Sequence, residues 1–289
     1  MSASTLAAPI GLASTQMQLP SIEGPVTVHH SGSVDSAPVV FLHGAAPGAG
    51  GLSNWRPALT ELGSDFFCLA PDFVGFADSW HPAEPPRDMR LWNRLRVEQT
   101  LAVLDHLGIE RAHLVGSSMG ASVALQLLTE APERFDKAVL LATAGTPVPV
   151  TEELERVMSF YLDPSPAALA RLYSWFVHDP AAMPVDLRAL AERNYVVASR
   201  PDVRRSFEAQ FASGPPVGVP ETALRRISHP TLVVHGLQDS VVPVEAAYYL
   251  ARHIPDVRLH VLGRCGHWIP SEYPDRTHRL LRSFFAGDL

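Results

Sequence analysis

The chain of 289 residues is 46% hydrophobic and 18% charged, which suits one large core with or without a small accessory unit and excludes a disordered protein. Its formal net charge of −7 argues against general affinity for nucleic acid or an anionic membrane. An anionic substrate would need a locally placed arginine, since Lys137 is the single lysine.

The two cysteines, Cys68 and Cys265, lie far apart and fit no metal-ligand spacing, which suits reduced thiols in a cytoplasmic protein. Residues 1–22 hold no Lys or Arg and no continuous apolar run, so they read as a flexible tail and not as a secretory leader. No stretch is apolar over the length of a membrane span.

Beyond the tail, short apolar runs alternate with amphipathic segments. PVVFLH at 38–43 predicts a buried strand leading into a Gly-rich turn, and 66–70 predicts a second, ended by Pro71 and Asp72. Helical spacing over 91–107 places Leu95, Val97, Leu101, Val103, Leu104 and Leu107 largely on one side. AHLVG at 112–116 predicts a third strand, followed at once by a helix over 119–128. Further strands are expected at 138–142, 231–235 and 257–262. Such alternation implies a mostly parallel sheet with helices on both faces. It breaks between 145 and 227, where aromatic-rich helical patches are cut by prolines. That segment is expected to form a helical lid over the carboxyl ends of the strands, where open α/β sheets bind their ligands. The core is then 23–144 together with 228–289.

Gly116-Ser117-Ser118-Met119-Gly120 fits the pattern Gly-x-Ser-x-Gly. A serine hydroxyl is a weak nucleophile until a base holds its proton and the backbone presents it. A sharp strand-to-helix turn presents it, and such a turn needs minimal side chains on its flanks. The pattern alone could be a Gly-rich turn closing a βα unit. The apolar strand before it and the helix after it favour a nucleophile elbow centred on Ser118. The acid and the base should follow in that order. Asp239 lies in HGLQD just past the strand at 231–235, and His267 in GRCGHW just past 257–262. Singly, Asp239 could cap a turn, and His267 could be a surface residue among 13 histidines. Their shared order and sheet edge make His267 the expected base and Asp239 the residue that orients it. The small-residue loop 43–51 follows the first strand, and its Ala45 N–H, with that of Met119, is the expected oxyanion hole. No Gly-Lys-Ser/Thr follows the loop, so it is a poor phosphate cradle. These features are those of the α/β-hydrolase fold.

Five stretches carry a closer resemblance: FLHGAAPGAGGLSNW, APDFVGFADS, LVGSSMGASVAL, TLVVHGLQDSVVP and LHVLGRCGHWIPSEYPDR. They resemble the meta-cleavage product hydrolases, which cleave a carbon–carbon bond in 2-hydroxy-6-oxo-hexa-2,4-dienoates formed by catechol ring fission. The resemblance covers most of the chain and is weakest in the lid. It implies a small carboxylate-bearing dienoate as substrate, needs neither metal nor organic cofactor, and leaves a homo-oligomer open. It further implies that Asn54, Trp268 and a lid arginine contact the acid end, with Ser117 beside them. Arg193, in AERNYVVASRP, is the best match for that arginine, and Arg200, Arg204 and Arg205 are its competitors. On the residues alone, Asn54 could equally brace its own loop, and Trp268 could be a pocket wall, a packing anchor or both.

Two departures bear on the substrate. The family usually has Asn before the nucleophile, where this chain has Ser117, and Gly or Ser where it has Ala45 and Ala46. Ala keeps a backbone donor but narrows the allowed backbone, and Ser117 loses an amide's paired donor and acceptor. A carboxylesterase, lactonase or thioesterase with the same three residues is therefore the alternative. A non-catalytic receptor is disfavoured, because it has no use for a base and acid behind a serine.

Overall fold

The computed structural model describes residues 11–214 and 218–289. Eight strands form one sheet: β1 (Ala13–Met17), β2 (Val26–Ser31), β3 (Pro38–Leu42), β4 (Phe67–Pro71), β5 (Ala112–Ser117), β6 (Phe135–Leu141), β7 (Thr231–Gly236) and β8 (Val257–Leu262). Their order across the sheet is β1-β2-β4-β3-β5-β6-β7-β8. β2 runs antiparallel to both β1 and β4, and every pair from β4 to β8 is parallel.

Helices α1 (Gly51–Leu62), α2 (Met89–Leu107) and α3 (Met119–Glu130) each join parallel strands. Between β6 and β7 stand α4 (Glu152–Met158), α5 (Pro166–Trp175), α6 (Leu187–Ala198), α7 (Pro201–Gln210) and α8 (Glu221–Leu224), with no strand among the described residues. α9 (Glu245–His253) links β7 to β8, and α10 (Ile269–Glu272) and α11 (Pro274–Ala286) complete the chain. Among the described residues no helix is long and apolar enough to cross a membrane.

Side chains of a strand alternate between the two faces of a sheet. Val40, Leu42, Leu69, Leu114 and Leu140 accordingly enter one buried cluster, and Val39, Phe41, Cys68, Val115 and Val139 the other. Helices cover both faces, so these strands are continuous apolar runs and not alternating ones.

The flexible tail expected at 1–22 requires correction. Residues 1–10 lie outside the described residues, but Ala13–Met17 forms β1, and Leu19 and Ile22 are buried. Part-buried polar contacts join this edge to β2: Ser14 Oγ lies 2.7 Å from His29 Nδ1, and Thr15 Oγ1 lies 3.0 Å from His30 Nε2. β2 itself, VTVHHS, is fully buried despite its histidines.

The buried face of α2 also differs from the apolar stripe. Val97, Val103, Leu104 and Leu107 of that stripe are buried, but so are Met89, Trp92, Asn93, Arg96, Gln99 and Thr100, while Leu95 and Leu101 are only partly covered. Gln99 explains itself by bonding backbone: its Oε1 accepts from Val74 N–H at 2.8 Å, and its Nε2 donates to Asp72 O at 2.7 Å. Burying such a side chain is tolerable only because its hydrogen bonds are met.

Candidate active site

Ser118 occupies the sharp turn between β5 and α3 with φ 54° and ψ −115°, a positive φ that non-glycine residues adopt only under strain. Its N–H donates to Leu141 O at 2.9 Å, and its carbonyl accepts from Ala121 N–H at 3.1 Å and Ala144 N–H at 3.2 Å. A Cβ on Gly116 would stand 2.5 Å from Gly120 O, and one on Gly120 would stand 2.1 Å from Leu42 O. The close approach of α3 to the strands therefore demands both glycines of the motif.

Asp239 projects from the loop after β7 and is buried. Its Oδ1 accepts the N–H groups of Val241 and Val242, each at 2.9 Å. Its Oδ2 accepts Nδ1–H of His267 at 2.8 Å. A second imidazole, His235, places Nε2 3.3 Å from the same oxygen while bonding Val242 O at 2.8 Å. Burial alone would raise the Asp239 carboxyl; the adjoining His267 and His235 and their hydrogen bonds outweigh it and hold the group well below the usual carboxylate range. A carboxylate on Nδ1 leaves Nε2 of His267 as the free ring nitrogen.

His43, at the end of β3, anchors the small-residue loop. Its Nδ1–H donates to Gly44 O at 2.8 Å and its Nε2 accepts Phe73 N–H at 3.0 Å, with the ring against Phe73 and Phe76. Complete burial pulls its pKa down to about 4. Asn54 braces the same loop: Oδ1 accepts Gly44 N–H at 3.3 Å and Nδ2 donates to Gly50 O at 3.2 Å. A Cβ on Gly44 would lie 3.3 Å from Ser118 Cβ, so the loop abuts the serine directly.

One inner cavity is lined by Ser118 and His267 together with Ala45, Asn54, Ser117, Met119 and Trp268. Ser118 and His267 face it without a hydrogen bond between them, and such contacts often tighten only with substrate in place. Met119 opens α3, so its N–H has no carbonyl one turn back and is free to serve the cavity. Met89, Leu154, Val157, Tyr173, Phe176, Leu190 and Phe211 supply much of the apolar wall. Trp268 is both wall and anchor: it lies 4.7 Å from Tyr173 and 5.1 Å from Phe176, ring to ring, and its backbone N–H donates to Phe176 O at 2.9 Å.

Arg193 does not join this group. It is exposed and lines an outer cavity that shares Ser53, Asn54, Leu190, Asn194, Pro270 and Ser271 with the inner one. One residue on, the helix turns Asn194 inward, where its Nδ2 donates to the Tyr173 hydroxyl at 2.9 Å. Among the described residues no lysine or arginine lines the inner cavity. Arg200 is held by Asp78 and Asp202, and Arg204 by Glu208.

The family model described as the alpha/beta hydrolase fold matches residues 37–274. The chain is 36% identical over 264 residues to a 2-hydroxymuconate semialdehyde hydrolase of a Pseudomonas species, covering 90% of this chain and 89% of that protein. This chain belongs to the meta-cleavage product hydrolase family of the α/β-hydrolase fold. Among solved structures, this hydrolase superposes on the 2-hydroxy-6-oxo-6-phenylhexa-2,4-dienoate hydrolase of a Rhodococcus species with a TM-score of 0.90 and 39% identity, covering 96% of this chain and 100% of that one. A serine hydrolase from the polyaromatic hydrocarbon-degrading bacterium Cycloclasticus zankles gives a TM-score of 0.92 and 37% identity over 96% of this chain and 99% of its own. The sequence reading of the hydrolase missed His235, although it stands four residues before Asp239, and it missed Asn194, for which the segment between β6 and β7 carries no motif; Tyr173 belongs to the aromatic-rich patches expected there.

Proposed function

We propose that this hydrolase cleaves the C5–C6 bond of a 2-hydroxy-6-oxo-hexa-2,4-dienoate, with Ser118 as nucleophile, His267 as base and Asp239 as the orienting acid. The observation that carries this reading is the Asp239–His267 pair facing the strained Ser118 across one cavity, in a chain whose relatives act on such dienoates. Nε2 of His267 takes the hydroxyl proton as Oγ attacks the C6 ketone. The N–H groups of Ala45 and Met119 receive the charge that develops on the ketone oxygen.

The leaving group is a carbanion, so the substrate must first become its keto tautomer, whose conjugated system accepts the electron pair. Ser117 and Trp268 bound the region beside Ser118 and would hold that tautomer, which His267 forms by carrying the 2-hydroxyl proton to C5; the proton taken from Ser118 passes to the oxygen of the departing dienolate. Water then hydrolyses the acyl-serine. The aromatic wall of Tyr173, Phe176 and Phe211 suits an apolar substituent on C6. Arg193, at the outer cavity, would draw an anionic substrate toward the mouth.

The test is a panel of coloured ring-fission dienoates differing at C6, followed by loss of absorbance, beside simple aryl esters. Turnover of one or more dienoates in preference to the esters supports the reading. Ester turnover with every dienoate inert replaces it with the esterase alternative.

A further inference from the structure

Arg96 is completely buried on α2, and among the described residues no carboxylate pairs with it. Its Nη1 has only weak or neutral acceptors: Met119 Sδ at 3.0 Å, Met89 Sδ at 3.8 Å and Asn93 Oδ1 at 3.3 Å. Nη2 donates to Gln210 Oε1 at 2.6 Å. The guanidinium carbon lies 5.2 Å from the Phe76 ring, 5.4 Å from Trp92 and 5.7 Å from Phe73. Among the described residues, the buried donors Arg96 Nε and Gln210 Nε2 find no hydrogen-bond partner. Burial pulls the pKa of Arg96 down to about 9, which still leaves it protonated at neutral pH.

A buried cation without a counter-charge is costly, and the core around it supplies rings and thioethers instead of a carboxylate. Its position gives that cost a use. Met89 and Met119, the two thioethers on Nη1, both line the inner cavity, whose lining holds no lysine or arginine. Arg96 thus stands one side chain behind the cavity wall. Methionine is flexible and a weak acceptor, so it neither neutralises nor firmly shields the charge. Arg193 cannot replace it, being exposed to screening solvent in the outer cavity.

We propose that Arg96 is the anion-selecting residue of the inner cavity: the substrate's carboxylate is its missing counter-charge, held against the Met89–Met119 wall. The proposal rests on the dienoate reading for its natural ligand, but the selection of carboxylates can be measured without it. A unit charge acting through one side-chain layer of partly polarisable protein changes anion affinity by about tenfold to a hundredfold.

The experiment uses hydrolysis of a neutral aryl ester as the reporter, and compares inhibition by an unsaturated carboxylate with inhibition by its primary amide. In the unaltered protein the carboxylate should bind better than the amide by about tenfold or more, and this preference should persist from low salt to about 0.5 M salt, because a buried charge is little screened. Arg96→Met should abolish the preference by weakening the carboxylate alone, and Arg96→Lys should restore part of it. Absence of a preference in the unaltered protein overturns the proposal, as does a preference that salt removes or one that survives in a folded Arg96→Met variant. If Arg96→Met does not fold, the salt series and the lysine variant still decide. Failure of every dienoate to react would refute the carbon–carbon reading and leave these inhibition ratios standing on their own.

Discussion

Oδ2 of Asp239 accepts Nδ1–H of His267 at 2.8 Å while Oδ1 is held by the N–H groups of Val241 and Val242. The carboxylate cannot rotate without losing bonds, so the imidazole is fixed with Nε2 toward the cavity. Asp239→Asn should keep the fold and lower kcat by up to about ten-thousand-fold, because an amide favours the wrong tautomer. Steady-state kinetics with far-UV circular dichroism would check this. A folded variant with near-normal kcat would assign the orienting role elsewhere.

Asn54 bonds Gly44 N–H and Gly50 O, on either side of Ala45. Asn54→Ala should therefore loosen the loop that carries Ala45, lowering stability by about 1–2 kcal/mol. It should depress dienoate and aryl-ester turnover alike. Loss confined to the dienoate would make Asn54 a contact of the acid end instead of a brace.

Arg193 faces the outer cavity and solvent, where exposed charges contribute little. Arg193→Gln should change dienoate kcat/KM by less than about tenfold, with most of the change vanishing as salt is added. A loss of several hundredfold at all salt concentrations would place this side chain against the bound carboxylate.

His43 is buried neutral, with a pKa of about 4 in the folded chain against 6.5 as its ordinary value. The unfolded chain therefore binds the extra proton first as pH falls. The stabilisation is complete above about pH 6.5, declines between 6.5 and 4, and amounts to roughly 3 kcal/mol at its full extent. His43→Gln keeps an acceptor for Phe73 N–H and removes this titration. Urea unfolding midpoints at pH 7 and pH 5 should differ less in the variant than in the unaltered protein. Equal differences would mean that His43 is solvated or already protonated.

Chain order and short-range pattern made most of the core legible. The strands of the parallel sheet are apolar runs because both faces are covered, and Ser118, Asp239 and His267 each follow one of them. β1 and β2 escaped because their burial depends on partners far away, such as Asp72 Oδ1, 3.2 Å from His29 Nε2. Arg193 was misplaced for a different reason. On a helix one residue step turns a side chain by about 100°, so Asn194 faces inward while the expected Arg193 faces outward. Arg96 carried a readable signal, a charge in register with Met89, Trp92 and Val103, that the neighbouring leucines concealed.

The most direct test of the account is single-turnover bleaching of a coloured ring-fission dienoate by the unaltered hydrolase and by Ser118→Ala at equal concentration. Rapid loss of absorbance is expected with the former. With the latter, substrate should bind and persist, its cleavage slowed by several orders of magnitude. Bleaching by Ser118→Ala at near the unaltered rate would contradict the assignment of Ser118 as nucleophile.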